Sequence, residues 1–248
     1  MIPAARNEID KVFRNLGFLS VFLLYTAALG VIAGQSYLEA HARGAAGQFF
    51  AAPEGVLFTI RHLGVVGLFV GSTLIVLSIA NDLAWGTLRQ EVANGLRRGE
   101  YLFGKALLVC VVAALVTLCN LAVGGVFASM ATTVTGSPGH LGLALIAKSA
   151  GMLAVGVIGC SAIGALFAFV VRSPGLAVVL WVAYFWGGER LFGQMVGAEG
   201  ALPVEGLKNA IPALLEGHFN AAGFGWVLLV TAVLSAVVWG IVLRSDLT

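Results

Sequence analysis

The sequence contains apolar runs that carry no charged residue and are as long as a membrane is thick. A hydrocarbon core of roughly 30 Å requires about 20 helical residues, because an α-helix rises 1.5 Å per residue. Such runs cover residues 15–38, 62–81, 106–147, 149–171, 173–188 and 219–243. The third run is too long for one span and is expected to break near residues 136–139, and the fifth is short. The runs predict an all-α membrane protein with six transmembrane helices.

The composition excludes most soluble classes of protein. Charged residues make up 10% of the chain, against roughly 25% in soluble domains, and the mean hydropathy is +0.97. The net charge of +2 is too small for nucleic-acid binding, so no nucleic-acid partner is expected. Cys110, Cys119 and Cys160 fall within apolar runs, where a thiol behaves as a small hydrophobic group rather than as a disulfide or zinc partner.

The distribution of basic residues predicts the orientation. With the N-terminus inside, nine Lys and Arg side chains fall on the inner side of the membrane and five on the outer side. Both termini are therefore expected in the cytoplasm, with the chain crossing the membrane several times. A cleaved signal peptide is not favoured, because acidic residues interrupt the basic leader and the apolar run is too long.

Two segments outside the spans combine apolar and charged residues. In residues 1–15, Ile9, Val12 and Phe13 follow helical spacing while Glu8 lies elsewhere on the helical wheel, which predicts an amphipathic helix in the inner interface. The alternative is a few ordered residues ahead of a long first helix. Residues 188–222 are too polar to cross a bilayer and too apolar for a solvated loop, so outer interfacial or re-entrant helices are expected there.

The inner loop at residues 81–105 predicts a short helix. Thr87 and Gln90 match a capping box at its start, and Asn94-Gly95 supplies a stop signal. Leu88 and Val92 lie four residues apart and would present one apolar knob to the groove of a partner protein. The alternative is that the loop is only anchored at anionic lipid headgroups by its basic residues Arg97, Arg98 and Lys105.

The sequence lacks the residues that several kinds of functional site require. The segment at 99–106 superficially matches a phosphate-binding loop, but Ala106 stands where a hydroxyl must bind Mg²⁺, so this chain is not expected to bind ATP. The histidines show no metal-ligand spacing, so no metal site is expected. No ionisable residue lies in the middle of a predicted span, which argues against an ion-coupled carrier and an intramembrane protease.

The loop also carries a family pattern. It consists of Asn81-Asp82, Trp85-Gly86-Thr87-Leu88-Arg89, Arg98, and Leu102-Phe103-Gly104-Lys105 at the head of the third span. This pattern resembles the ABC-2 type permeases, the membrane subunits of ATP-binding-cassette transporters, and looks closest to permeases of the bacteriocin- or lantibiotic-immunity and drug-export type. Asn94-Gly95-Leu96 departs from the Pro-containing turn common in that family.

The resemblance implies a single transmembrane domain over residues 1–248, in the inner membrane of a bacterium, with no catalytic site of its own. Such a domain would work in export as a homo- or heterodimer. Each chain would contact a separate ATPase subunit, which binds ATP and Mg²⁺. The residues implied in coupling to that subunit are Thr87, Leu88, Arg89, Gln90, Glu91, Val92, Arg97 and Arg98, and those of the connecting helix are Glu8, Ile9, Val12 and Phe13.

Two other functions remain open at this point. One is a secondary carrier or membrane enzyme, and the other is an ABC-like assembly factor that transmits force without moving cargo. The identity of a substrate and the direction of transport have no signal in the sequence.

Overall fold

The computed structural model describes residues 16–42, 54–135, 143–171, 173–197 and 202–244. Every regular element within these ranges is helical. In chain order they are α1 (Leu16–Ala42), α2 (Glu54–Ala84), α3 (Thr87–Ala93), α4 (Arg98–Thr135), α5 (Leu143–Val171), α6 (Pro174–Ala183), a π-helical segment (Tyr184–Gly188), α7 (Glu189–Val196), α8 (Pro203–Leu215) and α9 (Ala221–Arg244). The all-α prediction is confirmed for the described part of the chain.

Four helices, α1, α2, α4 and α5, are long and apolar enough to cross a membrane. The remaining two predicted spans correspond to shorter apolar helices. Helix α6 ends after 10 residues at the π-helical segment, and the apolar part of α9 is Ala221–Val237. Two helices, α7 and α8, lie between residues 188 and 222, so the helices expected before the last span are present in the described part of that segment.

Several predicted features fall outside the described residues. These are the N-terminal helix with Glu8, Ile9, Val12 and Phe13, and the break near residues 136–139. Helix α2 begins at residue 54 rather than 62, because the helical pattern of buried side chains continues through Val56, Thr59 and Ile60. Arg61 is accommodated within that helix by an ion pair with Glu216.

Helix α2 is the centre of the bundle. In its apolar stretch 61% of residues are buried within the protein, compared with 22% in α1. Glycines allow neighbours to approach closely: a Cβ on Gly71 would lie 2.9 Å from a Val157 methyl of α5, and one on Gly67 would lie 2.6 Å from the Tyr25 hydroxyl of α1. Asn120 of α4 donates to that hydroxyl, which links three helices in the interior.

The bundle has two distinct ends. At the first, the end of α2, the start of α4 and the end of α5 meet α3, and we name this the loop end. At the second, the far end, Gly64 of α2 approaches Leu153 of α5 and Ile211 of α8. The two ends carry the polar clusters described next.

Candidate functional site

Helix α3 begins differently from its predicted start. Gly86 is the N-cap residue with a left-handed φ of +68°, and no described side chain caps the helix there. The backbone reverses at Gly86, so Thr87 is already the first helical residue and its hydroxyl is not placed to cap. The predicted capping box of Thr87 and Gln90 is therefore wrong.

The end of α3 agrees with its prediction. Gly95 has a φ of +94°, a conformation that favours glycine. Its N–H donates to the Val92 carbonyl at 3.0 Å, and the Leu96 N–H donates to the Glu91 carbonyl at 3.0 Å. This pair of hydrogen bonds is the Schellman arrangement that satisfies the last carbonyls of a helix, so the stop signal at Asn94-Gly95 is confirmed.

Leu88 faces the protein interior. It is only 2% exposed and packs with Tyr101 and Leu102 of α4, while Val92 lies half-buried beside it. The prediction that Leu88 projects as an exposed apolar knob is wrong, because the loop end of the bundle already offers an apolar surface for this face of α3. The contact instead fixes α3 to the start of α4.

A buried ion pair lies beside this contact. The Lys105 ammonium is 2.6 Å from the Asp82 carboxylate, and their side chains are 6% and 13% exposed. The ammonium also donates to the Ser78 hydroxyl at 2.9 Å, and the Tyr101 hydroxyl donates to Asp82 at 3.3 Å. The four side chains join the end of α2 to the start of α4 and form, with Leu88 and Leu102, what we name the loop-end cluster.

The sequence interpretation did not anticipate this ion pair. Asp82 and Lys105 lie at the edges of apolar runs, and a charged residue in such a position is normally interpreted as part of a solvated loop. A usable signal was the spacing, because Ser78 and Asp82 lie four residues apart on one helix and Tyr101 and Lys105 four apart on the next. Each pair therefore projects from one helical face, and the two faces meet.

The remaining predicted coupling residues lie around α3. Gln90 and Arg97 are exposed, whereas Glu91 and Arg98 are half-buried, and Arg89 belongs to α3. Trp85, between α2 and α3, has 79% of its surface exposed. We name the exposed set the loop surface, which consists of Trp85, Gln90, Ala93, Asn94 and Arg97.

A second polar cluster lies at the far end. Glu189 is 1% exposed, and its carboxylate accepts the backbone N–H groups of Val204 at 2.9 Å and Glu205 at 2.6 Å, together with the Tyr184 hydroxyl at 3.0 Å. These amides are at the N-terminus of α8, so Glu189 caps that helix from α7. Burial raises the pKa of Glu189, and the two amides, Tyr184 and nearby Lys208 oppose that rise.

The far end also contains an open cleft of about 430 Å³ between α8 and α9. Asn209, His218, Asn220 and Trp226 provide its polar and aromatic groups, and Ala210 and Val227 contribute apolar surface. Within the described residues, no three His, Cys, Asp or Glu side chains come together as a metal site would require.

No protein-family model matches the chain, and no curated protein matches it either. Its function therefore has to be inferred from the loop end, the far end and the apolar helices between them.

Proposed function

We propose that this chain is the transmembrane subunit of an ATP-driven transporter of the ABC-2 permease type. In this proposal two permease chains form the substrate path, and each binds a separate ATPase subunit through the loop at residues 81–105. The observation that carries the proposal is the loop-end cluster. Residues of the permease-like pattern that are separated in sequence meet there: Asp82 pairs with Lys105, and Leu88 packs with Leu102.

The loop-end cluster suits a loop that transmits movement. Leu88 attaches α3 to α4, and the ion pair of Asp82 with Lys105 attaches α2 to α4. A partner that displaces the loop surface would therefore move both long helices together rather than bend a flexible connection. ATP and Mg²⁺ would bind the partner ATPase, whose closure would drive an alternating-access change in the helices.

The positions of charges along α2 support a membrane-spanning placement. Arg61 and Asp82 are 21 residues apart, which corresponds to about 32 Å of helix and matches a hydrocarbon core of roughly 30 Å. The Arg61–Glu216 pair, with side chains 40% and 47% exposed, would lie in the outer headgroup region. Asp82 and Lys105 would lie at the inner boundary.

In the same arrangement, α6 and the π-helical segment form a short fifth span, α7 and α8 lie at the outer interface, and α9 forms the sixth span. The loop end faces the cytoplasm of a bacterial cell, as the nine-to-five distribution of basic residues favours. Both termini are then cytoplasmic. Arg97 and Arg98 would lie near anionic headgroups at the edge of the partner contact.

A secondary carrier is less well supported. Glu189 is a buried carboxylate of the kind a coupled carrier uses, but three of its hydrogen bonds are with the N-terminus of α8 and with Tyr184. Those contacts give Glu189 a structural role, because they hold α7 against the start of α8 within the same chain. A force-transmitting complex would use the same loop-end cluster, and it differs from a permease in the substrate path rather than in the coupling.

Co-purification of the chain with an ABC ATPase subunit tests the proposal. Because Leu88 is buried, substitutions belong on the loop surface: Trp85→Ala combined with Arg97→Glu is expected to release the ATPase. The matched control is Trp226→Ala combined with Arg190→Glu, which changes an exposed Trp and an exposed Arg at the far end. Equal retention of the ATPase by the two double variants would exclude the loop surface as its binding site.

A further inference from the structure

The π-helical segment Tyr184–Gly188 separates α6 from α7 at the far end. Its hydrogen bonding is widened by one residue, since the Glu189 N–H donates to the Tyr184 carbonyl five residues back. Such segments are rare and occur mostly as single turns inside α-helices. Two of its five residues are glycines, Gly187 and Gly188, which lowers the barrier to rearranging the backbone.

Lys208 of α8 donates a hydrogen bond to the backbone carbonyl that would accept an N–H if the segment were α-helical. Its ammonium donates to the Phe185 carbonyl at 2.6 Å and lies 4.8 Å from the centre of the Phe185 ring. In an uninterrupted α-helix, that carbonyl would accept the Glu189 N–H four residues ahead. Lys208 therefore occupies one of the two acceptor positions of the carbonyl that an α-helical segment would use, and its short contact holds that carbonyl toward α8.

Glu189 supplies a second contact with the same helix. Its carboxylate caps the amides of Val204 and Glu205 at the start of α8. Conversion of the segment to α-helix keeps its five residues but shifts the hydrogen-bond register by one residue. This shift rotates α7 relative to α6 by about 100°, the angle of one helical residue. That rotation would carry the carboxylate away from the α8 amides.

Helix α8 rests on the bundle through close contacts at glycines. A Cβ on Gly159 of α5 would be 2.7 Å from a Leu207 methyl of α8, and Gly64 of α2 lies close to Ile211 of α8. Cys160, next to Gly159 on α5, is fully buried. Cys160 thus adjoins the contact between Gly159 of α5 and Leu207 of α8, and its thiol is shielded in the closed structure.

We propose that Tyr184–Gly188 is a two-state switch between π- and α-helix, held in the π state by Lys208 and Glu189, and that its conversion releases α8 from α5. The two side chains act together, because loss of the Lys208 contact frees the Phe185 carbonyl and the resulting rotation removes the Glu189 cap. Helix α8 and the π-helical segment consequently open as one unit. This inference uses contacts within one chain and does not depend on the proposed function.

The thiol of Cys160 reports on release of α8. In the full-length chain with Cys110→Ala and Cys119→Ser, Cys160 is the remaining cysteine, and N-ethylmaleimide measures its accessibility in detergent. Lys208→Met and Glu189→Ala are expected to accelerate labelling about tenfold or more, because each removes a hydrogen bond of a charged group. Lys208→Arg, which still donates to the Phe185 carbonyl, is expected to restore most of the protection.

Lys148→Met is the matched control, since it removes an exposed lysine from the helix that carries Cys160. It is expected to stay within about twofold of the parent, as surface substitutions do. Labelling of Lys208→Met and Glu189→Ala at the control rate, with both variants eluting as folded protein, would overturn the proposal.

Hydrogen exchange of the unsubstituted protein provides a test that requires no variant to fold. Backbone amides in the π-helical segment and in the first turns of α8 are expected to exchange with one common opening free energy, because they open as a unit. Clearly different opening free energies for the two segments would contradict the switch.

Discussion

Removal of the Lys105 ammonium is predicted to destabilise the protein strongly. Lys105→Met keeps the length and apolar stem of the side chain but leaves the Asp82 carboxylate buried, with its Tyr101 hydrogen bond at 3.3 Å. Breaking a buried ion pair from one side costs about 3–5 kcal/mol, because the remaining charge has lost its partner. For a chain of this size that corresponds to a fall of roughly 6–20 °C in the unfolding midpoint.

The effect is expected to be conditional on Asp82. Asp82→Leu combined with Lys105→Met replaces both charges by apolar groups, which is often close to neutral, so the double variant should recover most of the lost stability. The assay is thermal unfolding in detergent, followed by circular dichroism, with Lys148→Met as an exposed lysine control. If Lys105→Met unfolds at the midpoint of the control, or if the double variant is as unstable as the single one, the ion pair does not hold α2 and α4 together.

Three further substitutions test separate parts of the structure. Leu88→Ala should lower the free energy of unfolding by about 2–5 kcal/mol and make the loop at residues 81–105 sensitive to protease, because Leu88 is buried. An unchanged rate of proteolysis would contradict the inward orientation of Leu88. Because the folded-state pKa of Glu189 is raised, its stabilising contribution is present at acidic pH and lost as the pH rises through that pKa. The parent should therefore lose stability relative to Glu189→Gln on alkalinisation, and a pH-independent difference between the two unfolding midpoints would refute this. Gly124→Ala should destabilise the protein by about 1–3 kcal/mol, because its Cβ would lie 2.9 Å from the Val56 Cα. Gly125→Ala is the control, since a Cβ there meets nothing within 4 Å and should be tolerated. Equal unfolding midpoints for the two variants would exclude the close approach at Gly124.

Much of the fold could be predicted from hydrophobicity. Uncharged runs of helical length indicate α1, α2, α4 and α5. The glycine at 95 predicts the end of α3 because few other residues adopt a positive φ. These signals are local, so they can be read without knowing which helices become neighbours.

The site depends on tertiary contacts that local patterns do not contain. Leu88 could face a partner or its own bundle, and the pattern of α3 is the same in both cases. From the sequence, Asp82 and Lys105 are indistinguishable from solvated loop residues, and only the packing of α2 against α4 places their charged groups 2.6 Å apart. Glu189 likewise resembles a surface residue, although the α8 amides that it caps lie 15 and 16 residues further along the chain.

The central claim is that the loop surface is the docking site of an ATPase. A photo-crosslinking residue introduced at the exposed position of Gln90, in cells that also express an ABC ATPase subunit, tests it most directly. The same residue at the exposed position of Leu191, at the far end, is the control. We predict a crosslinked adduct with the ATPase from position 90 and none from position 191. An adduct from position 191, or the absence of one from position 90 while the ATPase is present, would contradict the proposed function.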